Sequence, residues 1–239
     1  MIKRNEMMDR PVIENDVREY LRKEQKQLSG ELRKIEMWAN ERRVPIIPHE
    51  TVTFFNWLLP ILQPKEILEI GTAIGFSAGL MIQASSTGSH VTTIERNPDM
   101  IEKAKVNFET LGISDQVTLL EGQASDWLEK LKNESIDFIF MDSAKAKYYD
   151  FFPLCYELLK KGGVIAIDDV LQGGTILDDR SDVPRRRRKI HEKLNAFLDV
   201  VLDHPALDAS IIPLGDGLLL ITKRESFDFG FMLTGEPRA

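Results

Sequence analysis

The sequence predicts a doubly wound α/β fold: a mostly parallel seven-stranded sheet, preceded by helices and closed by a C-terminal antiparallel hairpin. Three observations predict it. Five short runs rich in Ile and Val, at Glu66–Ile70, His90–Glu95, Val117–Glu121, 136–142 and 163–169, are almost continuously apolar, as strands covered on both faces are, and most are separated by segments of helical period. Ahead of them, residues 14–43 and 50–62 place apolar side chains three, four or seven apart. After them, runs at 209–213 and 218–222 are joined by Gly215-Asp216-Gly217, a strong hairpin signal.

The elements follow in order. An N-terminal helical appendage spans about residues 1–48. Val17, Leu21, Leu28, Leu32, Ile35 and Trp38 form the apolar stripe of one or two amphipathic helices, interrupted near Ser29-Gly30. The turn Val44-Pro45-Ile46-Ile47-Pro48 leads to a helix over 50–62 that Pro64 ends. The sheet core occupies about 64–223, with helices such as Pro98–Leu111 and 148–159 between strands. A further helix is expected over 185–202, with Pro184 at its first turn and Ile190, Leu194, Phe197, Leu198, Val201 and Leu202 on its packed face. In the tail, 224–239, Phe227, Phe229 and Phe231 alternate before the chain turns polar, which suits a short added strand, a dimer contact or a partly disordered end. With no internal repeat or low-complexity linker, 1–239 reads as one domain.

Composition narrows the function classes. Among 239 residues Cys155 is the single cysteine, so there is no intramolecular disulfide, C-x-x-C zinc site or c-type haem attachment, and any metal is held by oxygen or imidazole. The first twenty residues lack the apolar stretch of a secretory signal, and no window approaches the ~18 apolar residues of a membrane span. A cytoplasmic protein with no membrane partner is expected. The net charge of −7 argues against indiscriminate binding to polyanions, although Arg185 to Lys189 is a local basic patch.

Chemistry gathers at strand ends. The first strand runs into Glu69-Ile70-Gly71-Thr72-Ala73-Ile74-Gly75-Phe76-Ser77, where Gly71 and Gly75 permit a tight turn at the edge where open parallel sheets bind ligands. Ala73 and Ser77 replace the later glycines of a dinucleotide fingerprint and no basic residue follows, so the loop suits a ligand without phosphates. Glu95 ends the second strand, 24 residues after Gly71, where a carboxylate can accept both hydroxyl hydrogens of a ribose. Glu121-Gly122-Gln123-Ala124-Ser125 ends the third strand and could border an adenine. The fourth and fifth strands end at Asp142 and at Asp168-Asp169. Three acids at one edge repel one another unless a hard divalent cation such as Mg²⁺ joins them, and Lys145 stands close by. The simpler alternative keeps the loop as turn chemistry and Lys145 as salt-bridge partner to the acids.

These segments, E-I-G-T-x-x-G-F-S, Glu95, Asp142-Ser143-Ala144-Lys145 and Asp168-Asp169-Val170, resemble the cation-dependent O-methyltransferases that include catechol and caffeoyl-CoA O-methyltransferases, over roughly residues 14–223. The resemblance implies S-adenosylmethionine contacted by Glu69, Gly71, Thr72, Gly75, Ser77, Glu95, Arg96, Gly122, Gln123, Ala124 and Asp142, with Ile47 near its methionine portion. It implies Mg²⁺ or another divalent cation on Asp142, Asp168 and Asp169, and Lys145 as general base. Val44-Pro45-Ile46, the run Arg185, Arg186, Arg187 and Arg188, and I-I-P-x-G-D-G-L at 211–218 are similar to bacterial tRNA wobble 5-hydroxyuridine methyltransferases. That likeness implies methylation of 5-hydroxyuridine to 5-methoxyuridine in the anticodon region of tRNA. The four arginines would then grip the RNA backbone, and a small catechol-like acceptor is the alternative. A homodimer through the N-terminal helices is expected. Two positions depart from the pattern: Asp169 stands where Asn is common, and Gln123 where an acid is common. A nicotinamide dehydrogenase shares the sheet and the ribose carboxylate but gives no reason for three acids at its edge. A non-catalytic RNA-binding protein gives no reason for the intact acid set and Lys145.

Overall fold

The computed structural model describes residues 13–234; the first twelve residues of the appendage and the last five of the tail lie outside the described residues. Three helices come first: α1 (Asn15–Glu24), α2 (Gly30–Arg42) and α3 (His49–Leu62). The chain then alternates β1 (Glu66–Ile70), α4 (Phe76–Ala84), β2 (His90–Glu95), α5 (Pro98–Leu111), β3 (Val117–Glu121), α6 (Ala124–Leu128), β4 (Ile136–Met141), α7 (Tyr148–Leu158) and β5 (Leu159–Ile167). It ends with α8 (Arg188–Val201), β6 (Leu207–Ile212), β7 (Leu218–Lys223) and α9 (Phe231–Thr234). The seven strands lie in the order β3-β2-β1-β4-β5-β7-β6. β1 to β5 are mutually parallel and β7 runs antiparallel to both β5 and β6. Strand order therefore reverses between β1 and β4, the crevice where such sheets take ligands.

Alternation along the central strands explains their apolar runs. Leu68, Ile70, Ile139, Met141, Ile165 and Ile167 face one core with Phe152, Tyr156 and Phe197 of the helices there. Ile67, Phe138, Phe140, Val164 and Ala166 face the other, with Phe55 set edge-on to Phe138 and Phe140 at 5.8 and 5.1 Å. Both faces are covered, so neither needs polar residues. Among the described residues no helix is long and apolar enough to cross a membrane.

Three boundaries differ from expectation. β5 starts at Leu159, four residues early, because Leu159 pairs with Ile136 before the register shifts across the Lys160-Lys161-Gly162-Gly163 stretch to Val164 opposite Phe138. α8 starts at Arg188, not at 185. Arg187 N closes a turn onto Pro184 O at 2.7 Å, and the Arg188 guanidinium donates to the carbonyls of Val183 and Ser181 at 3.0 and 3.1 Å. Among the described residues the tail forms no strand. Phe229 is buried against Phe152, Tyr156 and His204, with ring centroids 4.8–5.0 Å apart, and one helical turn follows.

Candidate active site

Register builds the site. Ile94 pairs with Ile70, Ile70 with Met141, Met141 with Ile167, and Ile167 with Leu219. The next residues of the parallel strands, Glu95, Gly71, Asp142 and Asp168, therefore line up along one edge. The row is tied by Gly71 N to Ile94 O, Asp142 N to Ile70 O and Asp168 N to Met141 O, all 3.0–3.1 Å. Gly71 has φ +105° and a Cβ there would lie 2.1 Å from the Asp142 carbonyl oxygen, so the loop and the acid touch only because this residue is glycine. Gly75, φ +78°, presses on the Phe108 ring, and Asn107 Nδ2 holds Ile74 O at 2.7 Å.

Glu95 spans the loop. One oxygen accepts from Ala73 N at 2.9 Å, and the other from Arg96 N and Asn97 N at 2.8 and 2.9 Å. Gly122, φ +130°, donates to Glu95 O at 2.7 Å, bringing Gln123 and Ala124 beside it. Arg96 contributes its backbone here and its side chain is exposed.

Glu69, Thr72 and Ser77 form a layer beneath the loop. Glu69 is fully buried and accepts from Ser77 Oγ and Thr93 Oγ1, each at 2.5 Å, while Thr72 and Thr93 hydroxyls share a further 2.5 Å contact. Burial pushes the Glu69 carboxyl up to about 7 against these two hydrogen bonds, with repulsion from Asp142 and Glu95 adding to it. The Ser77 hydroxyl is thus directed at protein. Ile47 is buried just ahead of α3, in the core cluster of Phe55.

The acids crowd one another in a buried setting, with Lys145 as the cation beside them. Burial raises Asp142 to about 6, Lys145 pulling it down and Asp169 pushing it up. Asp168, nearly without exposed surface, is pushed well above the carboxylate range by burial and by Asp169 and Asp142. Its Oδ1 accepts from Asp169 N at 2.9 Å and its carbonyl from the Tyr148 hydroxyl at 3.0 Å. Lys145 Nζ lies 2.5 Å from Asp169 Oδ2. Burial would lower the lysine's pKa, but Asp169 and Asp142 outweigh it and the net shift is upward. Lys145 here is the cation that answers the acids, the salt-bridge role that was the simpler alternative.

A sequence model of the O-methyltransferase family matches residues 19–224. The chain belongs to the O-methyltransferase family. Catechol O-methyltransferase of Mycobacterium tuberculosis is 33% identical over 162 residues, 66% of this chain and 70% of that protein. Caffeoyl-CoA O-methyltransferase 1 of Eucalyptus globulus is 28% identical over 178 residues, 70% of each. The crystal structure of the O-methyltransferase from Bacillus cereus in complex with S-adenosylhomocysteine shares the fold, with a TM-score of 0.76 at 23% identity, covering 91% of this chain and 99% of that one. Family membership sets the dehydrogenase reading aside.

In this methyltransferase a fourth acid, Asp216, adjoins the row; the sequence shows it as a hairpin residue within the 211–218 segment and not as a member of the acid set. Because β7 is antiparallel to β5, the turn that precedes β7 must lie at the same edge as Asp168; that pairing is the signal that could have found it. Asp216 Oδ1 accepts from Gly173 N, and burial, against that bond and with help from Asp169, raises its carboxyl to about 7. The donor set of Asp142, Asp168 and Asp169 suits a hard divalent cation: it is all oxygen, and its mutual repulsion is what such an ion would relieve. Among the described residues no three His, Cys, Asp or Glu side chains already form a metal cluster, and Lys145 occupies one oxygen of Asp169. Of the four arginines, Arg185 and Arg186 are exposed, Arg187 lines a small cavity with Gln172, Thr175 and His191, and Arg188 is turned onto its own loop.

Proposed function

We propose that this methyltransferase moves the methyl group of S-adenosylmethionine to a hydroxyl of an acceptor with two adjacent oxygens, a catechol-type small molecule. One observation carries the reading: the strand register sets the glycine loop and Glu95 in the same row as Asp142 and Asp168, and Lys145 joins that row through its ion pair with Asp169. Glu95 would accept one ribose hydroxyl of the cofactor on the lone pair of Oε2 that Ala73 N–H leaves open, and a second only where one of its backbone bonds yields, and the loop around Gly71 would pass beneath the methionine portion near Ile47. Asp142, Asp168 and Asp169 would hold a divalent cation, which lowers the pKa of a hydroxyl it touches. Bound S-adenosylmethionine would supply the methyl group, leaving as S-adenosylhomocysteine, and Lys145 would take the proton of the acceptor hydroxyl. Lys145 would accept it only once its ion pair with Asp169 is given up and its own proton has passed to solvent, because the paired lysine stays protonated. The names of the catechol and caffeoyl-CoA relatives support a small acceptor.

A second reading takes wobble 5-hydroxyuridine of tRNA, whose 5-hydroxyl adjoins the O4 carbonyl. It is favoured by exposed Arg185 and Arg186, which precede in sequence the Arg187 that lines a cavity with Gln172 and Thr175 of the segment after the acids. Both chelate through adjacent oxygens, so one experiment separates them: labelled methyl transfer to tRNA lacking the modification and to a catechol panel, with and without Mg²⁺. Transfer to catechols alone supports the first reading. Transfer to tRNA at far lower concentration than any catechol replaces it with the second. We propose further that the expected homodimer forms through α1 and α3, where Tyr20, Trp57 and Ile61 are largely exposed.

A further inference from the structure

We propose that Asp216 is a positioning residue: its carboxylate anchors the loop after β5 and so sets where Asp168 and Asp169 stand. The loop needs an anchor. Asp169 and Gln172 both adopt left-handed backbone, φ +57° and +51°, and Gly173 and Gly174 follow at +61° and +79°, so four of six consecutive residues sit where side chains seldom do. Within the loop only short bonds are available, among them Gln172 Nε2 to Asp169 O at 2.8 Å.

The hairpin turn supplies the rest. Val170 N donates to Gly217 O at 3.0 Å, Leu171 N to Asp216 O at 2.9 Å, and Gly173 N to Asp216 Oδ1. The turn itself has no freedom to follow the loop. A Cβ on Gly217 would lie 2.4 Å from Leu171, one on Gly215 would lie 2.9 Å from Pro48, and β7 is bonded to β5 on one side and β6 on the other. A carboxylate suits this task better than an amide in one respect. It presents only acceptors to the Gly173 N–H, whereas an amide can rotate its NH₂ toward that donor. Asparagine in the right rotamer still makes the bond, and alanine cannot.

The link to the acids rests on the proposed cation site, so the test separates the two. Wild type, Asp216→Ala and Asp216→Asn are compared by hydrogen exchange over residues 168–177, Mn²⁺ binding by electron paramagnetic resonance, S-adenosylhomocysteine affinity by calorimetry, and turnover. Positioning predicts that Asp216→Ala speeds exchange at Asp169 and Val170 as well as Gly173. It also predicts Mn²⁺ binding at least fivefold weaker, turnover at least tenfold slower, cofactor-product affinity within twofold of wild type, and recovery of most of each loss in Asp216→Asn. Exchange confined to Gly173 with unchanged Mn²⁺ affinity overturns the inference. So does an asparagine variant as impaired as alanine, which would make charge the operative property. A wild-type enzyme that methylates without binding Mn²⁺ removes the cation reading, and exchange at Asp169 then decides the positioning alone.

Discussion

Glu69 is a carboxylate with no exposed surface, stabilised by two hydroxyl donors and still held at about 7 instead of its ordinary 4.5. Below pH 4.5 it is protonated in both folded and unfolded chains and costs nothing. Between 4.5 and about 7 the unfolded chain releases the proton while the folded one keeps it, so stability falls as pH rises, by about 3 kcal/mol in all. Glu69→Gln removes that slope. The melting-temperature difference, variant minus wild type, is expected to grow from pH 5 to pH 8, and a difference independent of pH would refute the assignment. Lys145 makes the opposite case, a cation retained because acids surround it. Lys145→Met is expected to lower turnover by at least 100-fold, within the range of general acid–base contributions of ~10²–10⁴. It should leave S-adenosylhomocysteine affinity within about threefold by calorimetry; turnover equal to wild type at neutral pH would exclude Lys145 from the chemistry. Glu95, Asp142, Asp168 and Lys145 could be placed from sequence because all lie at or just beyond strand ends of a parallel sheet, which share an edge. The partner of Ser77 could not, since it depends on how deep Glu69 sits beneath the loop.

The glycine loop is set by what packs on it. Phosphate readers use their second glycine to admit a ligand, whereas here Gly75 admits the Phe108 ring and Gly71 admits the Asp142 carbonyl. Gly71→Ala must therefore move β4's end or break the loop, and it is expected to destabilise the protein by about 2–4 kcal/mol and abolish cofactor binding. Gly88→Ala is the control: φ is +85° but nothing lies within 4 Å of a Cβ, so only backbone strain of about 1 kcal/mol is added. Thermal melts and calorimetry of both variants test this, and equal losses would show that the Asp142 contact is unimportant. Elements with period and punctuation, such as Pro98–Leu111 capped by Asn97 and closed by Gly112, were legible in the sequence. The starts of β5 and α8 were not. A charged Lys-Lys-Gly-Gly stretch reads as loop until Leu159 is known to pair with Ile136, and Pro184 reads as a helix start until Arg188 is seen capping the turn before it.

The whole sheet separates two tasks. Its carboxyl edge gathers the chemistry, and the helices on one face leave an outer surface that the core does not use. α3 buries Val52, Phe55 and Leu59 on one side yet exposes Trp57 and Ile61 by more than half, and α1 buries no residue at all while exposing Val17 and Tyr20. α1 is held by polar contacts, chiefly the bidentate pair of Arg22 with buried Glu50 at 2.8 and 3.0 Å. A helix so attached gains most if its apolar side chains are covered from outside, at roughly 1.5–3 kcal/mol for each large side chain fully buried. The homodimer proposed for this surface makes a direct prediction. Light scattering after gel filtration is expected to give twice the 27.3 kDa chain mass for wild type and the single-chain mass for Trp57→Glu with Ile61→Glu. Both substitutions lie on the outer side of α3, away from Ile47 and the acid row, so S-adenosylhomocysteine affinity should hold within about twofold. A wild-type protein that elutes as a monomer at every concentration, or a double variant that remains dimeric, would remove this surface from the assembly.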